Sequence, residues 1–172
     1  MKIFKTKFKN LKIIRSPIFK DNRGYFKELI IEKDINERFP FKVMSFSKKN
    51  VLRGMHLQSK NSQGKYISVI KGSILDVVID LRKKSKTFLK IFSVILSEKN
   101  AKSIFIPEGF AHGFYTLSKE NYIVYSCTKY RSKNHEITIK WNTINFKWPC
   151  LKPVLSDKDI NGINLENYIN KL

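Results

Sequence analysis

Cysteine is scarce in this 172-residue chain: Cys127 and Cys150 are the only two, with no C-x-x-C spacing and no histidine cluster beside either. That excludes a zinc knuckle and a disulfide framework, and it points to a reducing compartment. Long apolar runs are missing too. Nowhere do about 18 apolar residues follow one another. The stretch from Met1 to Asn10 carries lysine at every second or third position with no hydrophobic segment, unlike a secretion signal. These absences predict a chain that is neither secreted nor membrane-spanning, with the cytoplasm as its compartment and no membrane partner. Acidic residues are few as well, 14 against 34 lysines and arginines, for a formal net charge of +20. The basic residues are scattered from Lys2 to Lys171. No basic helix, ribonucleoprotein motif or finger gathers them, so no specific nucleic-acid partner is expected. Such a surface tolerates an acidic small molecule such as a nucleotide diphosphate without demanding one.

What is present is a globular composition, 42% hydrophobic and 13% aromatic, with thirteen phenylalanines and seven tyrosines. A chain of this length buries one core without a metal or disulfide to staple it. One domain over residues 1–172 is expected, with a core about 40–130 and with N-terminal strands and a C-terminal tail packing on it. Apolar residues recur with a period near two over Tyr66–Ile70, Ser73–Leu81, Phe88–Leu96 and Tyr122–Thr128, which predicts strands. Turn signals separate them at Lys71-Gly72, Lys83–Lys86, Ser97–Asn100 and Ser118–Asn121. This spacing predicts an all-β jelly-roll barrel with short peripheral helices, the candidates being Glu32–Phe39 and the tail Asn161–Leu172.

Two segments concentrate chemistry. The first is Arg53-Gly54-Met55-His56-Leu57-Gln58, followed by Gln63-Gly64-Lys65 at the entry to a strand. Read as neighbouring strands, they would bring Arg53, His56 and Lys65 together, and three such groups are costly side by side unless an anion joins them. Taken singly, a histidine in an apolar strand is more often a hydrogen-bonded structural residue. The second segment, Pro107-Glu108-Gly109-Phe110-Ala111-His112, resembles the second motif of cupin barrels, where glycine makes a tight turn and the histidine points inward. Metal-binding cupins use two histidines in their first motif plus a carboxylate. Here Leu57-Gln58 follows His56, and His135 is the third and last histidine, so no metal and no other cofactor is expected.

Taken with the Asp21–Phe26 segment, Asp76–Arg82, Tyr125–Tyr130, Glu136, Trp148-Pro149 and Leu155-Ser156-Asp157-Lys158-Asp159, these blocks resemble the dTDP-4-dehydrorhamnose 3,5-epimerase family. The resemblance runs over nearly the whole chain. It implies a metal-free, homodimeric, cupin-type jelly roll that inverts carbons beside the 4-keto group of a dTDP-linked 6-deoxyhexose. It further implies His56 as base, Asp159 as its partner, Lys65 steadying the enolate oxygen and Tyr130 returning a proton. Arg53, Arg23, Phe26, Glu28 and His112 match positions that hold substrate, with Arg23 and Phe26 reaching the nucleotide across the dimer.

Chemistry makes independent sense of these residue types. A hydrogen α to a ketone is weakly acidic, so its removal needs an aligned base and a donor on the oxygen that becomes charged. Inversion also needs a second proton-transfer group on the opposite face. Two departures stand out. The family often places Gln and Asn where Phe41-Lys42-Val43-Met44-Ser45 lies, and often a second tyrosine where Arg131 follows Tyr130. Rival readings are a single-site epimerase, a 3,4-ketoisomerase and a barrel that binds nucleotide sugars without turnover. A base and an acid together argue against the last, because binding alone needs neither.

Overall fold

The computed structural model describes all 172 residues. Two short strands, β1 (Lys2–Lys5) and β2 (Lys12–Arg15), precede a small hairpin of β3 (Ile18–Asp21) and β4 (Gly24–Lys27). Next come one helical turn, α1 (Glu32–Ile35), and then β5 (Phe41–Lys48), β6 (Leu52–Gln58), β7 (Lys65–Lys71) and β8 (Ser73–Asp80). The barrel continues through β9 (Ile91–Ser97), β10 (Lys102–Ile106), β11 (Phe110–Thr116), β12 (Glu120–Cys127) and β13 (Glu136–Thr138), and the chain ends on α2 (Asp157–Ile160) and α3 (Leu165–Ile169).

A six-stranded sheet in the order β1-β2-β10-β7-β12-β5 faces a five-stranded sheet in the order β13-β6-β11-β8-β9, and every strand pair in both is antiparallel. The interior between them is filled by Ile67 and Val69 from β7, Ile104 and Ile106 from β10, Ile74 and Val78 from β8, and Phe110 and Phe114 from β11. Phe8 joins this cluster from the β1–β2 loop. This is the expected all-β, cupin-type jelly roll.

Both sheets are also covered outside, which explains why β11 is buried at every residue. Alternate side chains of β6, β8 and β11, among them Leu57, Val77, Ile79 and Ala111, pack outward against Ile139, Ile144, Trp148 and Tyr168 of the C-terminal segment. On the other side Ile35 and Phe39 cover Ile14, Tyr66 and Phe105.

Three local expectations need correction. The third strand begins at Ile91 rather than Phe88, because residues 82–90 wind back around Asp80. Leu89 donates its N–H to the Asp80 carbonyl at 2.7 Å from a left-handed backbone with φ of 60°. Helix α1 stops at Ile35, where Asn36 takes a left-handed C-cap at φ 60°. His56 and Lys65 do not lie on paired strands: β6 pairs with β11 and β13, β7 with β10 and β12. The two groups therefore belong to facing sheets.

Candidate active site

Strand β6 supplies two inward groups through an irregularity. Arg53 and His56 are three residues apart, so a regular strand would point them to opposite faces. The register with β11 shifts between the pairs His112↔His56 and Phe114↔Arg53, and this bulge returns both side chains to the interior. Glycines permit the close approach of strands it requires. A Cβ on Gly54, whose φ is 134°, would stand 2.5 Å from the Gly113 Cα, and one on Gly113 would meet the Met55 Sδ at 2.7 Å.

His56 Nε2 and Asp159 Oδ1 are 2.6 Å apart. Asp159 is 2% exposed, and it arrives from the far end of the chain on α2. Ser156 is the N-cap of that turn. Its hydroxyl donates to Asp159 Oδ2 at 2.7 Å and accepts the Asp159 N–H at 3.3 Å, and the Gly54 N–H donates to Oδ1 at 3.3 Å. Burial disfavours the charge on Asp159, but these donors, His56 first, outweigh it and hold the carboxyl below its ordinary range. For His56 the balance falls the other way: desolvation lowers its pKa more than Asp159 raises it, with Lys65 and Lys158 adding to the lowering. A neutral imidazole with Nε2 held by a carboxylate leaves Nδ1 to take a proton.

Lys65, at the first position of β7, lies opposite Cys127 and Ile106. Burial drives its ammonium below the ordinary lysine value. His112 points inward from β11 with Nε2 at 2.7 Å from Asp76 Oδ2, both side chains buried. The second oxygen, Asp76 Oδ1, is buried without a partner. The Tyr125 ring stands edge-on to His112 at 6.5 Å, and its hydroxyl shares a 3.0 Å hydrogen bond with Ser45 Oγ. Burial raises the Tyr125 phenol above its ordinary value. Arg53 reaches across to β5, donating to Ser47 Oγ at 3.0 Å and to the Phe46 carbonyl at 3.1 Å.

The structure thus gathers His56, Asp159, Lys65, Arg53 and His112 from the expected set around one interior. Tyr130 lies just past β12, 67% exposed, with its ring 6.0 Å from Phe41. Arg23 and Phe26 sit apart on the β3–β4 hairpin. Arg23 is engaged with Asp21 at 2.6 Å, and Phe26, 65% exposed, packs on Phe19 at 6.3 Å. Glu28 is half-buried just after β4. Asp76 and Tyr125 were not singled out from sequence. A carboxylate amid the apolar Ser73–Leu81 run was the available signal, since an isolated charge is rarely buried without a purpose.

A jelly roll with a carboxylate-backed histidine on one sheet facing a half-buried lysine on the other has the layout of a cupin-type isomerase. Comparison with known proteins makes this specific. The family model described as dTDP-4-dehydrorhamnose 3,5-epimerase matches residues 5–167, and the chain belongs to that family. It is 42% identical over 171 residues to the dTDP-4-dehydrorhamnose 3,5-epimerase of Shigella flexneri, covering 94% of each chain. Among solved structures, the dTDP-6-deoxy-D-glucose-3,5-epimerase of Legionella pneumophila in complex with dTDP-4-keto-L-rhamnose superposes with a TM-score of 0.91 at 39% identity, over 96% of this chain and 93% of that one. The Mycobacterium tuberculosis epimerase gives 0.93 at 31% identity, over 99% and 92%.

Proposed function

We propose that this epimerase acts on dTDP-4-dehydro-6-deoxy-D-glucose, inverting C3 and C5 to give dTDP-4-dehydro-L-rhamnose. The observation that carries the reading is the His56–Asp159 pair on one sheet, 2.6 Å apart, with Lys65 on the sheet opposite. His56 Nδ1 takes the hydrogen α to the ketone, and the C–H electron pair moves into an enolate. The Lys65 ammonium holds the oxygen on which that charge develops. Tyr130 then gives its phenolic proton to the opposite face of the carbon, and the C4 ketone re-forms. Arg53 and His112 serve the bound sugar nucleotide.

The same reading makes the protein a homodimer in which Arg23 and Phe26 of one protomer, with Glu28 beside them, complete the nucleotide site of its partner. The exposed aromatic residues of the β3–β4 hairpin and the open edge of β5, where Met44 is 62% and Phe46 43% exposed, support it. Sedimentation equilibrium at twice the chain mass is the expected result, and a monomer would refute this part alone. For the chemistry, proton NMR of the substrate in deuterium oxide should show loss of both the C3 and C5 signals. Loss at one carbon would make this a single-site epimerase, and no exchange would refute the reading.

A further inference from the structure

We infer that Glu136 is a positioning residue that ties the segment carrying Tyr130 to the helix carrying Asp159, and so sets where the acid stands relative to the base. This rests on the roles proposed above for His56 and Tyr130. Glu136 opens β13, opposite Gln58 of β6, and two residues later Thr138 lies opposite His56. Its carboxylate is shared. Arg131, next to Tyr130, donates from Nε to Oε1 and from Nη2 to Oε2, the latter at 3.1 Å, while Lys158, next to Asp159, donates to Oε2 at 2.6 Å. A second tie runs in parallel: the Ser132 N–H donates to Gln58 Oε1 at 2.9 Å.

Tyr130 needs such a tether. It is 67% exposed and its ring meets Phe41 with centroids 6.0 Å apart, so packing alone leaves its position loosely specified. A two-pronged guanidinium–carboxylate contact fixes direction as well as distance. The Glu136 side chain is 19% exposed while its two cations are 50% and 44% exposed, so the anion is the fixed member and the two segments hang from it.

The test separates proton removal from proton return. If Tyr130 is displaced, His56 can still abstract a proton, exchange it with solvent and give back deuterium on the same face. Exchange then proceeds without inversion. With saturating substrate in deuterium oxide, Glu136→Gln should keep solvent exchange near the unsubstituted rate, while inversion per exchange falls about three- to tenfold. Arg131→Gln should do the same, and the double substitution should add little. On the unsubstituted protein, about 1 M NaCl should lower the same ratio, because the Debye length shrinks to about 3 Å. This arm is independent of whether the variants fold. An unchanged ratio in folded Glu136→Gln, or insensitivity of the ratio to salt, overturns this inference alone. Absence of any exchange in the unsubstituted protein overturns the proton-transfer reading and this inference with it.

Discussion

His56 and Asp159 stand 103 positions apart in the chain and 2.6 Å apart in space, and the connection is made by a single four-residue helical turn. Ser156 caps that turn and fixes the rotation of the Asp159 carboxylate through Oδ2, so Oδ1 is left for the imidazole.

His56→Ala should lower turnover by about 10²–10⁴-fold, the usual worth of a positioned proton-transfer group, with far-UV circular dichroism unchanged. Asp159→Asn gives a signed pH test. The carboxylate raises the pKa of His56 against a larger lowering by burial. The acid limb of the unsubstituted enzyme should therefore lie below the ordinary histidine value, with turnover falling as pH drops through it. Removing the carboxylate's charge should move that limb to still lower pH while reducing the maximal rate. An upward shift in the kcat profile would contradict the pairing.

Tyr130→Phe removes one oxygen from a side chain that is 67% exposed, so the melting temperature should hold within about 1 °C, given the small energetic effect of exposed substitutions. Inversion should fall steeply while hydrogen exchange at the base-accessible face continues. Equal loss of both activities would argue against tyrosine as the returning acid.

Ser156→Ala deletes a helix cap together with a donor to Asp159. A stability loss of about 1 kcal/mol is expected in urea denaturation, together with reduced kcat at little-changed KM. Ser156→Thr should restore both. A stability loss with full kcat would confine Ser156 to capping.

Asp80 is fully buried. It accepts from Arg82 at 2.8 and 2.7 Å, from Ser85 at 2.7 Å and from Thr87 at 2.6 Å. Burial raises its pKa, but these donors prevail and bring it down to about 2, from an ordinary 3.8. A carboxyl depressed on folding contributes stability that is present above pH 3.8 and lost as pH falls toward 2, on the order of 2 kcal/mol. Asp80→Asn should lose at least that much at pH 7, with a flatter stability profile between those two pH values. Identical slopes for the two proteins would refute the linkage.

Gly113→Ala forces a methyl against the Met55 Sδ at 2.7 Å and the Arg53 carbonyl at 2.8 Å. Overpacking of about 1–3 kcal/mol is expected. Because the strain falls on the bulge that turns Arg53 and His56 inward, activity should drop further than the loss of folded protein explains.

Much of this was legible in sequence. The alternation in Tyr66–Ile70 and Ser73–Leu81 reports strands because side chains on a pleated ribbon alternate in direction. Gly109 was legible because only glycine adopts its φ of 84° beside the Arg82 side chain without strain. The chemical types at His56, Lys65 and His112 were visible in their motifs, and the order of blocks marked the family. Asp76 escaped because its meaning lies in a partner on another strand.

The sequence by itself determined what acts locally: strand period, turns and the inventory of proton-transfer groups. Only the tertiary structure decided that His56 and Lys65 face each other from different sheets, that a bulge puts Arg53 beside His56, and that Glu136 joins Arg131 to Lys158. Pairing across tens of residues has no local signature. It is selected by burying both faces of two sheets at once, and a one-residue change of register would turn these side chains to the other face.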